Sequence, residues 1–109
     1  MIILALDIAT KCGYAYGSLD SGIESGTWDF TPRHNESKGM RLVNFKRELN
    51  RLREVGIGLL VFERVSGFHK NSLVVMAEMH GVAKEWAETA GIPYRSYSSN
   101  EIKLYATGK

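Results

Sequence analysis

Two runs of apolar residues each end in a carboxylate, and this constrains the fold more than any other feature of the chain. Residues 2–6 are followed by Asp7, and residues 59–62 are followed by Glu63. A carboxylate at the end of a buried strand is costly unless something pairs with it. Two of them on neighbouring strands concentrate negative charge, which a divalent metal ion neutralises. The sequence therefore predicts metal-dependent phosphate chemistry.

The composition indicates a single globular domain over residues 1–109. The net charge is +2, with 44% hydrophobic and 24% charged residues, which is ordinary for a soluble protein of a length that supports one core. The single cysteine, Cys12, excludes an internal disulfide and a cysteine metal cluster, and we expect it to be a small strand residue in a reducing cytosol rather than a catalytic thiol. Residues 2–8 lack the basic region of a signal peptide, and no stretch approaches the ~20 apolar residues of a membrane span. We therefore expect a cytoplasmic protein with no membrane partner.

Hydrophobic periodicity predicts five strands and three helices. The predicted strands are residues 2–8, 13–17, 23–30, 58–63 and 92–97, and the predicted helices are 36–55, 71–89 and a short one after Ser98. This order gives an α/β fold, a mixed five-stranded sheet in which three antiparallel strands precede two crossovers, with helices on both faces. Asp7 and Glu63 are then expected to meet at the carboxyl ends of adjacent strands, where open sheets bind ligands.

Three passages of the chain carry a resemblance to a known family. They are residues 4–15, which include Asp7, residues 61–65, which include Glu63, and residues 97–109, which include Lys103. Together they resemble the RuvC-type Holliday junction resolvases, in a phage-type form, whose fold is ribonuclease H-like. The resemblance implies a DNA recombination and repair endonuclease that cuts four-way junctions as a homodimer in a bacterial cell or phage-infected host. It also implies two-metal hydrolysis with Mg²⁺ or Mn²⁺ held by four carboxylates.

The resemblance implies roles for individual residues. Asp7 matches the first acid of the family and Glu63 the second, so both are expected to be catalytic metal ligands. Lys103 matches a basic residue close to the active site that contacts the substrate. The other two acids of the family lie on a final helix, and this chain stops at Lys109 before that segment. We therefore expect a truncated nuclease that is inactive or nearly so.

Residues that follow the second acid are the candidates for DNA contact. Arg64 and Lys70 flank the predicted metal site, where cations hold a strand in place. Ser66 stands where the bacterial enzymes carry an aromatic residue, so Phe68 is the candidate wedge against an unstacked base; the alternative is a loop aromatic folded onto the core. His69 is a candidate proton shuttle or a plain loop residue.

The predicted helices carry two further sets of polar residues. Arg41, Arg47 and Arg51 lie off the apolar stripe of the first helix, and the pattern leaves open a solvated face or a contact with DNA phosphates. His80 on the second helix is expected to be a partly buried, hydrogen-bonded histidine rather than a catalytic base.

Three other functions compete with the junction nuclease. Actin-like ATPases and sugar kinases also open with a strand, an acid and a threonine turn, but they need a second domain, and this chain lacks a glycine-rich phosphate cradle. A general ribonuclease H needs an acid on the first helix, for which Glu48 is the mid-helix candidate. A non-catalytic module that binds branched DNA fits the two-acid set directly. Metal-dependent cleavage, once the missing helix is restored, separates a nuclease from such a binder.

Overall fold

The structure is a computed structural model that describes residues 1–64 and 70–98, with residues 70–72 described by their main chain alone. Its elements are β1 Ile2–Asp7, β2 Lys11–Ser18, β3 Gly22–Asp29, α1 Met40–Arg51 with a 3₁₀ turn over Leu52–Val55, β4 Ile57–Glu63, α2 Lys70–Ala90 and β5 Tyr94–Tyr97. The predicted order of these elements is confirmed, and the helix predicted after Ser98 lies outside the described residues. Neither α1 nor α2 is long and apolar enough to cross a membrane.

The strands form one mixed sheet in the order β3-β2-β1-β4-β5. β1 pairs antiparallel with β2, and β2 pairs antiparallel with β3. β4 is parallel to β1, and β5 is parallel to β4, so each is reached through a helical crossover as parallel pairing requires. The predicted α/β fold class, with three antiparallel strands followed by two crossovers, is confirmed.

Both described helices pack on the same face of this sheet. On that face Leu4 and Leu6 of β1 and Leu60 and Phe62 of β4 are at most 4% exposed. One core joins them to the buried sides of the two helices, which include Phe45, Leu49, Met79, Ala83 and Trp86. We expected helices on both faces of the sheet, but within the described residues both helices lie on one face. The reason is that the apolar stripes of α1 and α2 meet the same alternate residues of the strands.

The opposite face of the sheet is open at β1. Ile3 is 39% exposed there, Ala5 and Asp7 are exposed, and Val61 of β4 is half-buried. The continuous apolar sequence of β1 predicts cover on both faces, and the described residues cover one. The two faces of β1 thus have different surroundings, although the residues alternate within a single strand.

Helix α1 begins later than its sequence predicts. The prediction places the start at Glu36, but the helix begins at Met40 after Gly39. Glu36 instead closes a loop, because its Oε1 accepts a hydrogen bond from the Arg33 main-chain N–H at 2.8 Å. The end is as predicted: Gly56 adopts φ +85°, a left-handed conformation that glycine tolerates and that stops a helix.

Candidate active site

Asp7 and Glu63 lie at the carboxyl ends of neighbouring parallel strands. β1 and β4 are paired as far as Leu6 and Phe62, and the two acids are the next residue on each strand. Because side chains alternate along a strand, both carboxylates lie on the sheet face opposite the core. The structure therefore brings the two acids together at one end of the sheet, and their chemical roles remain predictions.

The surroundings of the two carboxylates are open. Opposite Asp7 on β2 lies Gly13, and a Cβ built on this glycine would be 3.5 Å from the Asp7 Cβ. Gly13 thus leaves free the space beside Asp7 that a side chain would occupy. Within residues 1–64 and 70–98, neither acid pairs with a cation or accepts a hydrogen bond through its carboxylate. As far as the described residues show, both carboxylates are therefore available to bind a cation.

His80 of α2 contacts the main chain of Glu63 from the core side. Its ring is 6% exposed, with Nδ1 2.7 Å from Met76 O and Nε2 2.9 Å from Glu63 O. The ring stands edge-on to Phe62, with centroids 5.3 Å apart. The prediction of a hydrogen-bonded, partly buried histidine is confirmed. The contact with the second acid was not predicted, because the two residues are 17 positions apart and no motif joins them.

Arg64 extends the candidate site toward β5. Its side chain is exposed, and its main-chain N–H donates to Tyr97 O at 2.7 Å. It lines a cavity of about 320 Å³ together with His80, Lys84 and Ser96. This cavity lies on the α2 side of the sheet, so it adjoins the main chain of Glu63, whereas the two carboxylates lie on the opposite face.

The other predicted DNA-contacting residues fall beyond what the structure describes. Phe68, His69 and Lys103 lie outside the described residues. Lys70 is the first residue of α2, and its side chain is likewise outside them. The assignments of these four residues therefore stay predictions.

Two of the arginines of α1, Arg47 and Arg51, have hydrogen-bond partners on their own helix, and the third, Arg41, does not among the described residues. Arg47 donates to Asn44 Oδ1 at 2.9 Å, and Arg51 donates to Glu48 Oε1 at 2.7 Å. Arg41 differs from its prediction as a solvent-facing residue: it is half-buried, and its Nε is buried without a hydrogen-bond acceptor among the described residues. Long basic side chains often lie along apolar surface in this way, so sequence position alone overestimated the exposure of Arg41.

Glu48 does not join the two acids of the candidate site. It pairs with Arg51 and lines a groove between α1 and β3 that also includes Trp28 and Asp29. α1 packs on the core face of the sheet, whereas Asp7 lies on the open face. This arrangement disfavours the ribonuclease H alternative, which needs an acid on α1 beside Asp7.

Cys12 is a strand residue of β2, as expected, and it is buried. Its side chain is 0% exposed. Burial raises the pKa of the Cys12 thiol from 9.0 to about 11, and the nearby charge of Asp7 adds to this rise while a main-chain hydrogen bond involving Ala9 opposes it. A thiol with a raised pKa is a poor nucleophile at neutral pH, so Cys12 has a structural role.

Comparison with known proteins identifies the fold. No protein-family model and no curated protein sequence matches the chain. The structure of Thermus thermophilus RuvC in complex with a Holliday junction substrate matches with a TM-score of 0.80 and 14% sequence identity, over 95% of this chain and 70% of that one. A further Thermus thermophilus RuvC structure matches with a TM-score of 0.75 and 18% identity, over 95% and 68% of the two chains. The chain therefore has the ribonuclease H-like fold that RuvC also has.

Proposed function

We propose that this chain is the nuclease domain of a RuvC-type Holliday junction resolvase, a metal-dependent endonuclease that cuts branched DNA. The observation that carries the proposal is the pair of carboxylates, Asp7 and Glu63, which lie at adjacent strand ends of a sheet with the RuvC fold and have no partner among residues 1–64 and 70–98. Such a protein would act in DNA recombination and repair in the cytoplasm of a bacterial cell or a phage-infected host. The phage-type form rests on the sequence resemblance.

The two carboxylates fit a hard divalent cation. Mg²⁺ prefers oxygen ligands and is usually bound through one or two carboxylates plus water and substrate phosphates, so Asp7 and Glu63 suffice to hold one ion. Residues 1–64 and 70–98 contain no group of three or more potential metal-ligating side chains, so a second ion needs ligands from outside this part of the chain. A bound Mg²⁺ or Mn²⁺ would activate water and stabilise the departing oxygen of the phosphodiester.

The protein residues around this ion would bind and orient DNA. Arg64 lies next to the second acid and is exposed, so it can contact the phosphates of a strand that reaches the carboxylates. We propose the same role for Lys70 and Lys103, and we keep Lys103 as a catalytic basic residue. Phe68 would stack against an unpaired base, and His69 would contact the same strand.

We propose four-way junctions as the chief substrate and a homodimer as the acting form. One structure with the same fold is that of RuvC bound to a Holliday junction substrate. A four-way junction has two equivalent strands to cut, and a two-fold symmetric protein presents two equivalent sites. Gly81 is compatible with a second protomer against α2, since it is exposed and, apart from its chain neighbours and the adjacent backbone of its own helix, no described atom lies within 4 Å of the position its Cβ would take.

A non-catalytic module that binds branched DNA is the second candidate. Within residues 1–64 and 70–98, potential metal-ligating side chains do not form a group of three or more. This observation favours a module without catalytic activity. Both candidates bind junctions, and they differ in whether a metal ion at Asp7 and Glu63 leads to strand cleavage.

Cleavage of a labelled four-way junction by the protein of the complete reading frame, with wild type and Asp7→Asn, tests the proposal. We expect wild type to cut in Mg²⁺ or Mn²⁺ and not in a chelator. We expect Asp7→Asn to lose more than the ~10–100-fold typical of losing an outer-shell residue, because it removes a direct ligand. Junction binding should be retained or slightly tighter, since a negative charge near phosphate is removed.

Asp20→Asn is the matched control, because this acid lies in the exposed turn between β2 and β3. Its cleavage rate should equal that of wild type. Cleavage by Asp7→Asn at the wild-type rate would refute the proposed metal site. Tight junction binding by wild type without cleavage in either metal would favour the non-catalytic module.

A further inference from the structure

His80 connects the buried core with the residue that carries the second acid. Among the described residues, His80 is the one polar or charged residue that is buried. Both of its ring nitrogens face main-chain carbonyl oxygens. Met76 O lies one helical turn before it on α2, and Glu63 O lies at the end of β4. A carbonyl oxygen can only accept, so each contact is a hydrogen bond when the nitrogen that faces it carries a proton.

The two carbonyl oxygens differ in their need for a donor. In an α-helix the carbonyl of residue i accepts the main-chain N–H of residue i+4, so Met76 O already accepts from the His80 main chain. Glu63 O lies one residue beyond the last paired position of β1 and β4, which is Leu6 with Phe62. Buried main-chain carbonyls are nearly always hydrogen-bonded. In the tautomer with the proton on Nε2, His80 donates a hydrogen bond to Glu63 O, the carbonyl oxygen that lacks a partner in the β1–β4 ladder.

The ring is held in this orientation by its neighbours. Phe62, the residue before Glu63, packs against the His80 ring in an edge-on arrangement with an interplanar angle of 77°. On the other side, the main-chain N–H of Arg64 donates to Tyr97 O at 2.7 Å. The main chain at Glu63 is therefore fixed at the residue itself and at the residue that follows it.

We propose that His80 is a positioning residue for Glu63: Nε2–H holds the Glu63 carbonyl and so fixes the carboxylate beside Asp7 for a divalent ion. The inference rests on the metal site proposed above. The half-buried Glu63 has no described partner for its carboxylate, so the orientation of the carboxylate depends on its main chain. Donors that orient a metal ligand commonly change metal affinity by about 10–100-fold when removed.

Three substitutions separate the two ring-nitrogen contacts of His80. In His80→Gln the amide nitrogen reaches about as far as Nε2, so it can still donate to Glu63 O. In His80→Asn the amide nitrogen lies near the place of Nδ1, so it reaches Met76 O alone. His80→Leu keeps a similar volume and loses both ring nitrogens, including the Nε2–H donor. Mn²⁺ binding by the 109-residue chain, measured without DNA by the electron paramagnetic resonance of free Mn²⁺, is the readout, with thermal unfolding of each variant alongside.

We expect the Mn²⁺ affinity of His80→Leu and His80→Asn to fall by about 10–100-fold, and that of His80→Gln to stay near wild type. If His80→Leu does not fold, the comparison of Gln with Asn gives the same test. Equal Mn²⁺ affinity of the Gln and Asn variants, whatever their unfolding temperatures, would overturn the inference and leave a purely structural role.

Asp7→Asn distinguishes failure of this inference from failure of the proposed metal site. If Asp7→Asn weakens Mn²⁺ binding while His80→Asn binds like wild type, the metal site stands and the role of His80 is refuted. If wild type binds Mn²⁺ no better than Asp7→Asn, the metal site itself fails, and the positioning role fails with it.

Discussion

The two faces of the sheet use the same strands for different purposes. On the core face, Leu4 and Leu6 are 0% and 4% exposed beneath the two helices. On the open face, the alternate residues Ile3 and Ala5 lead to the exposed Asp7. β4 repeats the pattern, with Phe62 buried and Glu63 half-buried. Burial on the core face stabilises the fold, and the open face can therefore carry two carboxylates that a core would exclude.

The two faces also differ in how they tolerate charge. Burial keeps Cys12 protonated on the core face, while Asp7 is exposed on the open face with the glycine Gly13 beside it. His80 is the described link between them, because it is buried in the core and contacts the main chain of Glu63. We therefore expect substitutions on the core face to change stability and substitutions on the open face to change metal binding and DNA cleavage.

The largest expected effect on stability comes from a leucine of the core face. Leu4→Ala removes a fully buried side chain and should lower the free energy of unfolding by about 2–5 kcal/mol. Ile3→Ala is the matched control one residue away, on the open face, and should cost clearly less because Ile3 is 39% exposed. Urea unfolding measures both. Equal losses of unfolding free energy in the two variants would show that the open face is covered in solution. That result would contradict the difference between the two faces.

An intermediate effect is expected from the ionisation of Cys12. Because the pKa of its thiol is raised from 9.0 to about 11 in the folded protein, its contribution to stability is full below pH 9.0 and is lost as pH rises through about 11. The whole contribution is of the order of 2–3 kcal/mol. Unfolding free energies between pH 8 and 11 measure this loss.

Cys12→Ala provides the control for that pH dependence. The variant removes the thiol, so its unfolding free energy should fall less steeply over the same alkaline range, whatever its value at pH 8. Parallel pH profiles of wild type and variant would contradict the raised pKa.

The smallest expected effect comes from an exposed glycine of α2. Gly81 is exposed, and apart from its chain neighbours and the adjacent backbone of its own helix no described atom lies within 4 Å of the position that a Cβ would take. Gly81→Ala should therefore raise the unfolding free energy of the dilute protein by about 1 kcal/mol, which is the difference in helix propensity. A loss of stability would show that this side of α2 is closely packed, and a loss confined to high protein concentration would place Gly81 in a contact between protomers.

The sequence predicted the topology and the place of the two acids. Apolar runs that end in Asp7 and Glu63 were enough to place them at neighbouring strand ends, because parallel strands end at the same edge of a sheet. The late start of α1 was not predicted, because it depends on Glu36 bonding to Arg33 rather than capping a helix.

Contacts between distant residues were also beyond the sequence. Helical spacing shows which side of a helix is apolar, but not which sheet face that side will meet, so the shared face of α1 and α2 was missed. The contact between His80 and Glu63 O depends on the same packing. One sequence pattern would have indicated this contact. It is a histidine on the apolar side of a crossover helix, where that helix follows a strand that ends in an acid.

The most direct test of the account is a crystal structure of the protein with Mn²⁺, with the ion located by its anomalous scattering. We expect an ion held by carboxylate oxygens of both Asp7 and Glu63, at metal–oxygen distances close to the value of about 2.0–2.1 Å for Mg²⁺. Mn²⁺ bound elsewhere, with the two carboxylates turned apart or engaged by cationic side chains, would contradict it.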